Sequence, residues 1–266
     1  MMAPADHLTR QNSDGVALLT INHPASRNAL SSSMIDAMTA ELAAIAKDRS
    51  VRAVILAATG SAFCSGHDLK EITRHREDED YGRAFFEDLL ARCAGLMLAL
   101  THLPQPVIAA VEGVATAAGC QLVATSDLAI AGAAATFATP GVHIGLFCST
   151  PMVALSRAVG RKHAMEMLLT GASVDADHAM QIGLVNRIVP AGSAVAEAQS
   201  MARIITSKSP TTMRVGKQAF YKQAELGLAD AYAYASRIMT ENMLAQDAEE
   251  GISAFLEKRA PEWSEM

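Results

Sequence analysis

Two apolar runs in this chain leave into turns of the same make-up. VRAVILAA (Val51 to Ala58) runs directly into GSAFCSGHDLKE (Gly60 to Glu71), and PVIAAVEG (Pro106 to Gly113) into VATAAGCQL (Val114 to Leu122). Near-continuous apolar runs of this length, rich in Val and Ile, are expected as buried strands. VALLTI (Val16 to Ile21) and DLAIA (Asp127 to Ala131) are two more. Between the first two, Leu30, Met34, Ile35, Met38, Leu42 and Ile45 recur at helical spacing, with Ser33 and Asp36 offering a capping box. A further helix is expected from about Tyr81 to Leu103, with Phe86, Leu89, Leu90, Cys93, Met97 and Leu100 on one face, stopped by Pro104 and Pro106. Strands alternating with helices imply crossover units and an α/β core whose sheet is at least partly parallel.

After LVNRIVP (Leu184 to Pro190) no strand is expected, and three helical stretches follow, divided near Pro210 and Leu228. The chain therefore divides into a core, residues 1–191, and a helical region, residues 192–266, packed on the core or on another subunit. The charge run TRHREDED (Thr73 to Asp80) reads as a solvated loop, or as a mobile cover over the segment just upstream.

Composition narrows the function. Lys and Arg number 22 against 28 Asp and Glu, a formal net charge of -6, without the basic surplus of a nucleic-acid binder. Half of the 266 residues are hydrophobic and 19% are charged, enough for a sizeable core and too apolar for disorder. No run reaches the length of a membrane span. Cys64, Cys93, Cys120 and Cys148 are widely separated, which argues against a disulfide framework and for a reducing compartment. The opening MMAPADHLTR shows neither a hydrophobic signal core nor an Arg/Ser-rich transit peptide, so a cytoplasmic home is expected. Nucleotide-binding glycine motifs, HExxH and GxSxG are missing, and the eight histidines lack zinc spacing, so no metal is expected. Ser65, His67 and Asp68 name the members of a hydrolase triad, but near neighbours in sequence do not converge on one substrate atom.

What remains is the pair of strand exits. Small residues there let backbone turn sharply and approach closely. One N–H group from each loop could together polarise a carbonyl oxygen and hold an oxyanion; two ordinary tight turns would look the same.

At these loops the sequence resembles the crotonase, or enoyl-CoA hydratase/isomerase, superfamily. FCSGHDLKE (Phe63 to Glu71) is similar to the family's F-[CSA]-[SA]-G-x-D-[LI]-K-E segment, and GVATAAGCQL (Gly113 to Leu122) to its G-x-A-x-G-G-G-C-E-L segment. NHPASRNAL, FATPGVHIGL, LLTGASVDADHAMQIGLVNRIVP and GISAFLEKR extend the likeness over about residues 15 to 260. The resemblance implies a spiral of ββα units with a C-terminal helical trimerisation region, in a homotrimer or a dimer of trimers. It implies an acyl-CoA thioester as ligand, with coenzyme A entering as part of the substrate and no separate cofactor. By resemblance, the backbone N–H groups of His67 and Ala118 form the oxyanion hole. Ser65, His67, Asp68, Leu69, Lys70 and Gly119 line the CoA site, and Lys258 reaches a CoA phosphate, in this or a neighbouring subunit.

The family's hydratases use two glutamates, which fall here on Gln121 and Gly141. An amide cannot take a proton from water, and glycine has no side chain. General acid–base help is worth roughly 10² to 10⁴-fold per group, so hydratase activity is expected to be weak or absent. An alanine at 118 is compatible with the hole only where its φ is negative. His67 is the substitute candidate, which leaves open decarboxylation, isomerisation or thioester hydrolysis on the same platform, or CoA-ester binding without catalysis. His143, Cys148, Glu112 and Glu71 are weaker options, and Gln121 could select an acyl chain by hydrogen bonding.

Overall fold

In a computed structural model, which describes residues 7–264, the strand exits are where two sheets meet. The larger sheet takes β1 (Leu8–Ser13), β2 (Val16–Ile21), β3 (Ala53–Ala58), β5 (Val107–Val111), β7 (Leu128–Gly132) and β10 (Arg187–Val189), in that spatial order. β1 and β2 form an antiparallel hairpin, and every later pairing in that sheet is parallel. The smaller sheet takes β4 (Ala62–Cys64), β6 (Val114–Thr116), β8 (Thr136–Ala138) and β9 (Val174–Asp175). Each of β3, β5 and β7 is thus followed within a few residues by a short strand of the other sheet, and then by helix. This is the expected α/β spiral of ββα units.

The helices follow from local signals. α1 (Ser32–Ile45) starts at Ser31, whose hydroxyl accepts the Met34 N–H, rather than at the expected Ser33–Asp36 box. Glu71 adds a second cap by accepting the Ser32 N–H at 2.9 Å. α2 (Leu69–His75) is capped by the Asp68 carboxylate, which accepts the Lys70 and Glu71 N–H groups. Part of the charge run expected as a loop is therefore helical. Its end, Asp80, accepts the Gly82 and Ala84 N–H groups and starts α3 (Arg83–His102). α3 buries Leu89, Cys93, Leu96, Met97 and Leu100; Leu90, expected on that face, is 41% exposed, because the buried stripe continues through Leu96 instead. α4 (Ala118–Thr125) follows β6, and a short 3-10 helix (Pro140–Ile144), α5 (Pro151–Ala158), α6 (Arg161–Thr170) and α7 (Ala176–Gln181) complete the core region.

Beyond residue 192 there are four helices: α8 (Ala194–Thr206), α9 (Pro210–Ala224), α10 (Leu228–Met243) and α11 (Gln246–Glu257). The additional break at Leu244–Ala245 carries neither Pro nor Gly, which is why helical spacing alone gave three stretches. α8 covers the sheet directly: Ala194, Ala198, Met201 and Ala202 pack with Ala53, Ile55, Ile108 and Ile130. The start of α8 is fixed by Glu112, which accepts the Ala194 N–H at 3.0 Å. α9 is anchored by a buried cluster. Lys217 donates to the carbonyls of Leu100 (2.9 Å) and Gln105 (3.0 Å) and pairs with Asp127 at 2.7 Å, while Tyr221 donates to the other Asp127 oxygen at 2.8 Å. α10, α11 and the turn between them leave Leu228, Tyr232, Leu244, Phe255 and Leu256 each more than two-thirds exposed. Among the described residues no helix is long and apolar enough to cross a membrane.

Candidate functional site

The first loop is built by a segment that spacing alone does not flag. Asn28 is fully buried in a left-handed conformation (φ 55), which short amide side chains tolerate. Its Nδ2 donates to the carbonyls of Thr59 and Ala62 at 2.8 and 2.7 Å, and its Oδ1 accepts the His23 N–H at 2.8 Å. The chain so held pairs with the loop beyond β4. Ser65 N–H donates to Arg27 O (3.2 Å), Leu30 N–H to Gly66 O (2.8 Å) and Asp68 N–H to Leu30 O (3.2 Å). The His67 N–H sits between these bonds and makes none itself among the described residues.

The second loop is the N-terminus of α4. Its first intrahelical bond is Gln121 N–H to Ala117 O at 3.0 Å, so the Ala118 N–H, like those of Gly119 and Cys120, has no backbone acceptor. Ala118 is the first residue of the helix and does not carry a positive φ, which meets the condition set by an alanine there. The unusual residue is Ala117, at φ 50 and ψ −117, a conformation that glycine adopts freely and alanine only under strain. Ala117 is held there by its N–H bond to Ala138 O at 2.9 Å.

The two loops touch. A Cβ on Gly66 would lie 2.9 Å from the Ala117 methyl and 3.5 Å from the Ala118 nitrogen, and one on Gly119 would lie 2.1 Å from Cys64 O. Both positions therefore exclude any side chain. Thr116 Oγ1 donates to Ser65 O at 3.1 Å and ties β6 to the first loop. The two free amides thus lie on loops in contact at the junction of the sheets, the Ala118 N–H at the positive end of α4.

Around them, the carboxylates are engaged elsewhere. Glu71 caps α1 and Glu112 caps α8, which removes two of the weaker candidates. Gln121 is buried at 4% exposure and its Oε1 has no partner. Gly141 is closed off: a Cβ there would meet Leu146 O at 2.6 Å and the Cys148 sulfur at 3.0 Å, and Leu146 N–H bonds back to Gly141 O at 2.9 Å. Burial raises the thiols of Cys148, Cys93 (to about 11), Cys64 and Cys120 (each to about 12), so none is a thiolate near neutral pH. His143 is exposed beside Gly171, away from the amide pair. His67 is partly buried with Nε2 unpartnered; burial pushes its imidazole down, opposed by Glu71, and it is neutral near neutral pH.

The structure brings the loop of Ser65, His67 and Asp68 against that of Ala118 and Gly119, with Leu69 and Lys70 exposed on the first turn of α2 and Gln121 one turn into α4. Lys258 follows α11 in a left-handed cap, and within this chain no described hydrogen bond or ion pair joins it to the 65–70 loop. A groove of about 930 Å³ runs along α4 from Gln121 to Ser126 and is walled by Met97, Val153, Phe220 and Tyr221; of the candidate residues only Gln121 lines it. Among the described residues no cluster of His, Cys, Asp and Glu could hold a metal. Sequence reasoning missed Asn28, Thr116 and Thr139; the last has a fully buried hydroxyl without a partner directly after β8.

Two sheets wound as a ββα spiral, with a free amide at each of two adjoining strand exits, define a crotonase-type, enoyl-CoA hydratase-like protein, and the chain belongs to the enoyl-CoA hydratase/isomerase family, which it matches over residues 11–266. It is similar to the protein named enoyl-CoA hydratase domain-containing protein 3, mitochondrial: the mouse protein is 43% identical over 256 residues, 96% of this chain and 83% of that one. The crystal structure of the human counterpart superposes with a TM-score of 0.91 at 41% identity, covering 97% of this chain and all of that one (100%). That of an enoyl-CoA hydratase from Mycobacterium smegmatis gives 0.92 at 51% identity over 97% and 98%. These relatives correct one expectation. A cytoplasmic home was expected from the opening residues, whereas the mouse, rat, frog and human relatives are all named mitochondrial.

Proposed function

We propose that this protein binds an acyl-CoA thioester and polarises its carbonyl between the N–H groups of His67 and Ala118, with little or no hydratase turnover. One observation carries this reading: two amides without backbone acceptors flank a contact so close that Gly66 and Gly119 admit no side chain. Donors already in place at the developing oxyanion are the largest single contribution such a site can make. Asp68, Leu69 and Lys70 lie on the rim with Ser65, where the CoA moiety would run, and coenzyme A enters as part of the substrate, with no separate cofactor. The hydratase step is weak in this reading because Gln121 cannot accept a proton and Gly141 is sealed beneath Leu146. The exposed apolar residues of α10 and α11, Leu244 and Phe255 among them, support self-association as a homotrimer or dimer of trimers.

A second reading is favoured by the unpartnered Nε2 of His67. A neutral imidazole beside the amide pair can relay a proton to an enolate, which suits decarboxylation or isomerisation of an acyl thioester better than addition of water. The test is direct. Purified protein is mixed with crotonyl-CoA and the loss of enoyl absorbance is followed, while malonyl-type thioesters are followed for loss of carbon dioxide. Hydration at the rate of an ordinary hydratase would overturn the first reading. Failure of every CoA ester to raise the melting temperature would overturn both and leave a role outside acyl-CoA chemistry.

A further inference from the structure

The last helix is not held by its apolar face. α11 buries only Asp247 and Ala254, and α10 before it buries no residue at all. Ile252, Phe255 and Leu256 of α11 are 55%, 81% and 72% exposed. A surface helix ordinarily docks through its apolar stripe. Here that stripe is turned outward, so α11 takes its place on the protein from other contacts.

Those contacts come from the segment that follows it, which doubles back along the helix. The Arg259 guanidinium bonds both oxygens of Glu250, at 2.6 and 2.8 Å, and Glu250 Oε1 also accepts the Glu262 N–H at 2.7 Å. The Trp263 ring covers Gly251, so closely that a Cβ there would lie 3.2 Å from it. The indole N–H crosses to the Ser207 carbonyl at 2.9 Å. Asp247, itself buried, accepts the Ser264 N–H at 2.8 Å and hydroxyl at 2.7 Å, and the Ser209 hydroxyl as well. Hydrogen bonds to a carboxylate shielded in this way are the strong kind. Ser207 and Ser209 lie in the turn between α8 and α9, and Arg52, just ahead of β3, donates to Lys208 O in that same turn. The segment thus ties the first turn of α11 to a turn that is fixed to the larger sheet.

We propose that residues 259–264 are a strap that sets the direction of the α10–α11 arm, and that self-association requires the strap to be closed. Trp263 and Ser264 are its positioning residues, acting through Gly251 and Asp247. The inference rests on the self-association reading above: the outward apolar residues of the arm meet a second copy of this chain, and meet it in register only while α11 is held. With the strap open, α11 keeps only the burial of Ala254, its direction is averaged, and the fraction of chains ready to associate falls.

The test compares the parent with a chain lacking residues 262–266 and with Trp263→Ala, by analytical ultracentrifugation over a range of concentrations. Far-UV circular dichroism follows the fold. The deletion removes four hydrogen bonds, from the Glu262 N–H, the Trp263 indole and the Ser264 N–H and hydroxyl. Self-association is expected to weaken by at least about tenfold in the deleted chain and about threefold in Trp263→Ala, with the circular dichroism unchanged. Trp263 is the only tryptophan of the chain, so its fluorescence reports the strap in the parent itself. In urea, its emission should reach that of a solvated indole no later than the oligomer dissociates. Should the deleted chain fail to fold, Trp263→Ala and this titration decide. Undiminished association of a folded variant, or a parent oligomer that survives release of Trp263, overturns the strap and leaves self-association standing. A parent that stays monomeric at every concentration overturns the self-association reading, and this inference with it.

Discussion

Placing glutamate at positions 121 and 141 tests the proposal that these two residues leave the protein with little hydratase turnover. Gln121→Glu is nearly isosteric, so it adds a carboxyl without new volume at a position that is 4% exposed. With no cation among its described partners, that carboxyl is held in its neutral form, and its pKa rises above the usual value near about 4.3. The folded variant then keeps a proton that the unfolded chain releases. Its stability falls as pH rises above about 4.3, by about 1.4 kcal/mol per unit until the folded pKa is passed. Gly141→Glu is a different perturbation. Its first carbon would lie 2.6 Å from Leu146 O, a backbone atom of a residue whose N–H is bonded to Gly141 O, and 3.0 Å from the Cys148 sulfur. Overpacking of this kind costs about 1–3 kcal/mol before any buried charge is counted, and in a chain of this size that lowers the melting temperature by about 2–10 °C. Calorimetric melting at pH 5 and 8, with crotonyl-CoA hydration as the activity assay, reads both effects. The expected result is a folded Gln121→Glu protein whose melting point drops toward pH 8 and whose hydration rate rises, by at least about tenfold, only at the pH where that carboxyl has given up its proton. Gly141→Glu should be clearly destabilised and gain nothing. A Gly141→Glu protein as stable as the parent, or a pH-independent Gln121→Glu, would refute the reading that position 141 has no room for a side chain and that Gln121 is buried without a cation beside it.

Three other substitutions probe the frame around the site. Lys217→Met leaves Asp127 buried without its cation and orphans the Leu100 and Gln105 carbonyls; urea unfolding should show a loss of about 3–5 kcal/mol. Ala117→Gly releases the strain of φ 50 against a modest entropy loss, so stability should hold or rise by up to about 2 kcal/mol, and a clear loss would mean that the methyl matters more than the strain. Glu250 is held down to about 2 by the Arg259 guanidinium, against an ordinary value of 4.5. Its contribution is present above pH 4.5 and is lost as pH falls toward 2, so Glu250→Gln should flatten the melting-temperature profile over that window.

The central strands were legible because β2, β3, β5 and β7 are covered on both faces and read as apolar runs. The smaller sheet was not. β4, β6 and β8 have three residues each, too few for any periodicity, and their pairing is a tertiary fact. The ββα spiral was therefore available only through likeness to a family. At the site, glycine-containing exits pointed to the right loops, but nothing local to residues 22–30 announces that Asn28 fastens the first of them through carbonyls 31 and 34 positions away. Concern over an alanine in place of a family glycine fell on Ala118, whereas the strain sits one residue earlier, because the turn into α4 reverses at 117 and the helix has begun by 118. Glu71 and Glu112 looked like possible acids until their caps were seen.

The bond from the Ala194 N–H to Glu112 links the start of α8 to the residue that closes β5, immediately ahead of the second loop. A growing chain makes Glu112 long before it makes Ala194. Until then the carboxylate has lost that donor, and the sheet face over Ile55, Ile108 and Ile130 lies bare to solvent. The second loop therefore lacks this tether until translation has passed α8, and a fragment ending ahead of Ala194 would leave an apolar sheet face uncovered.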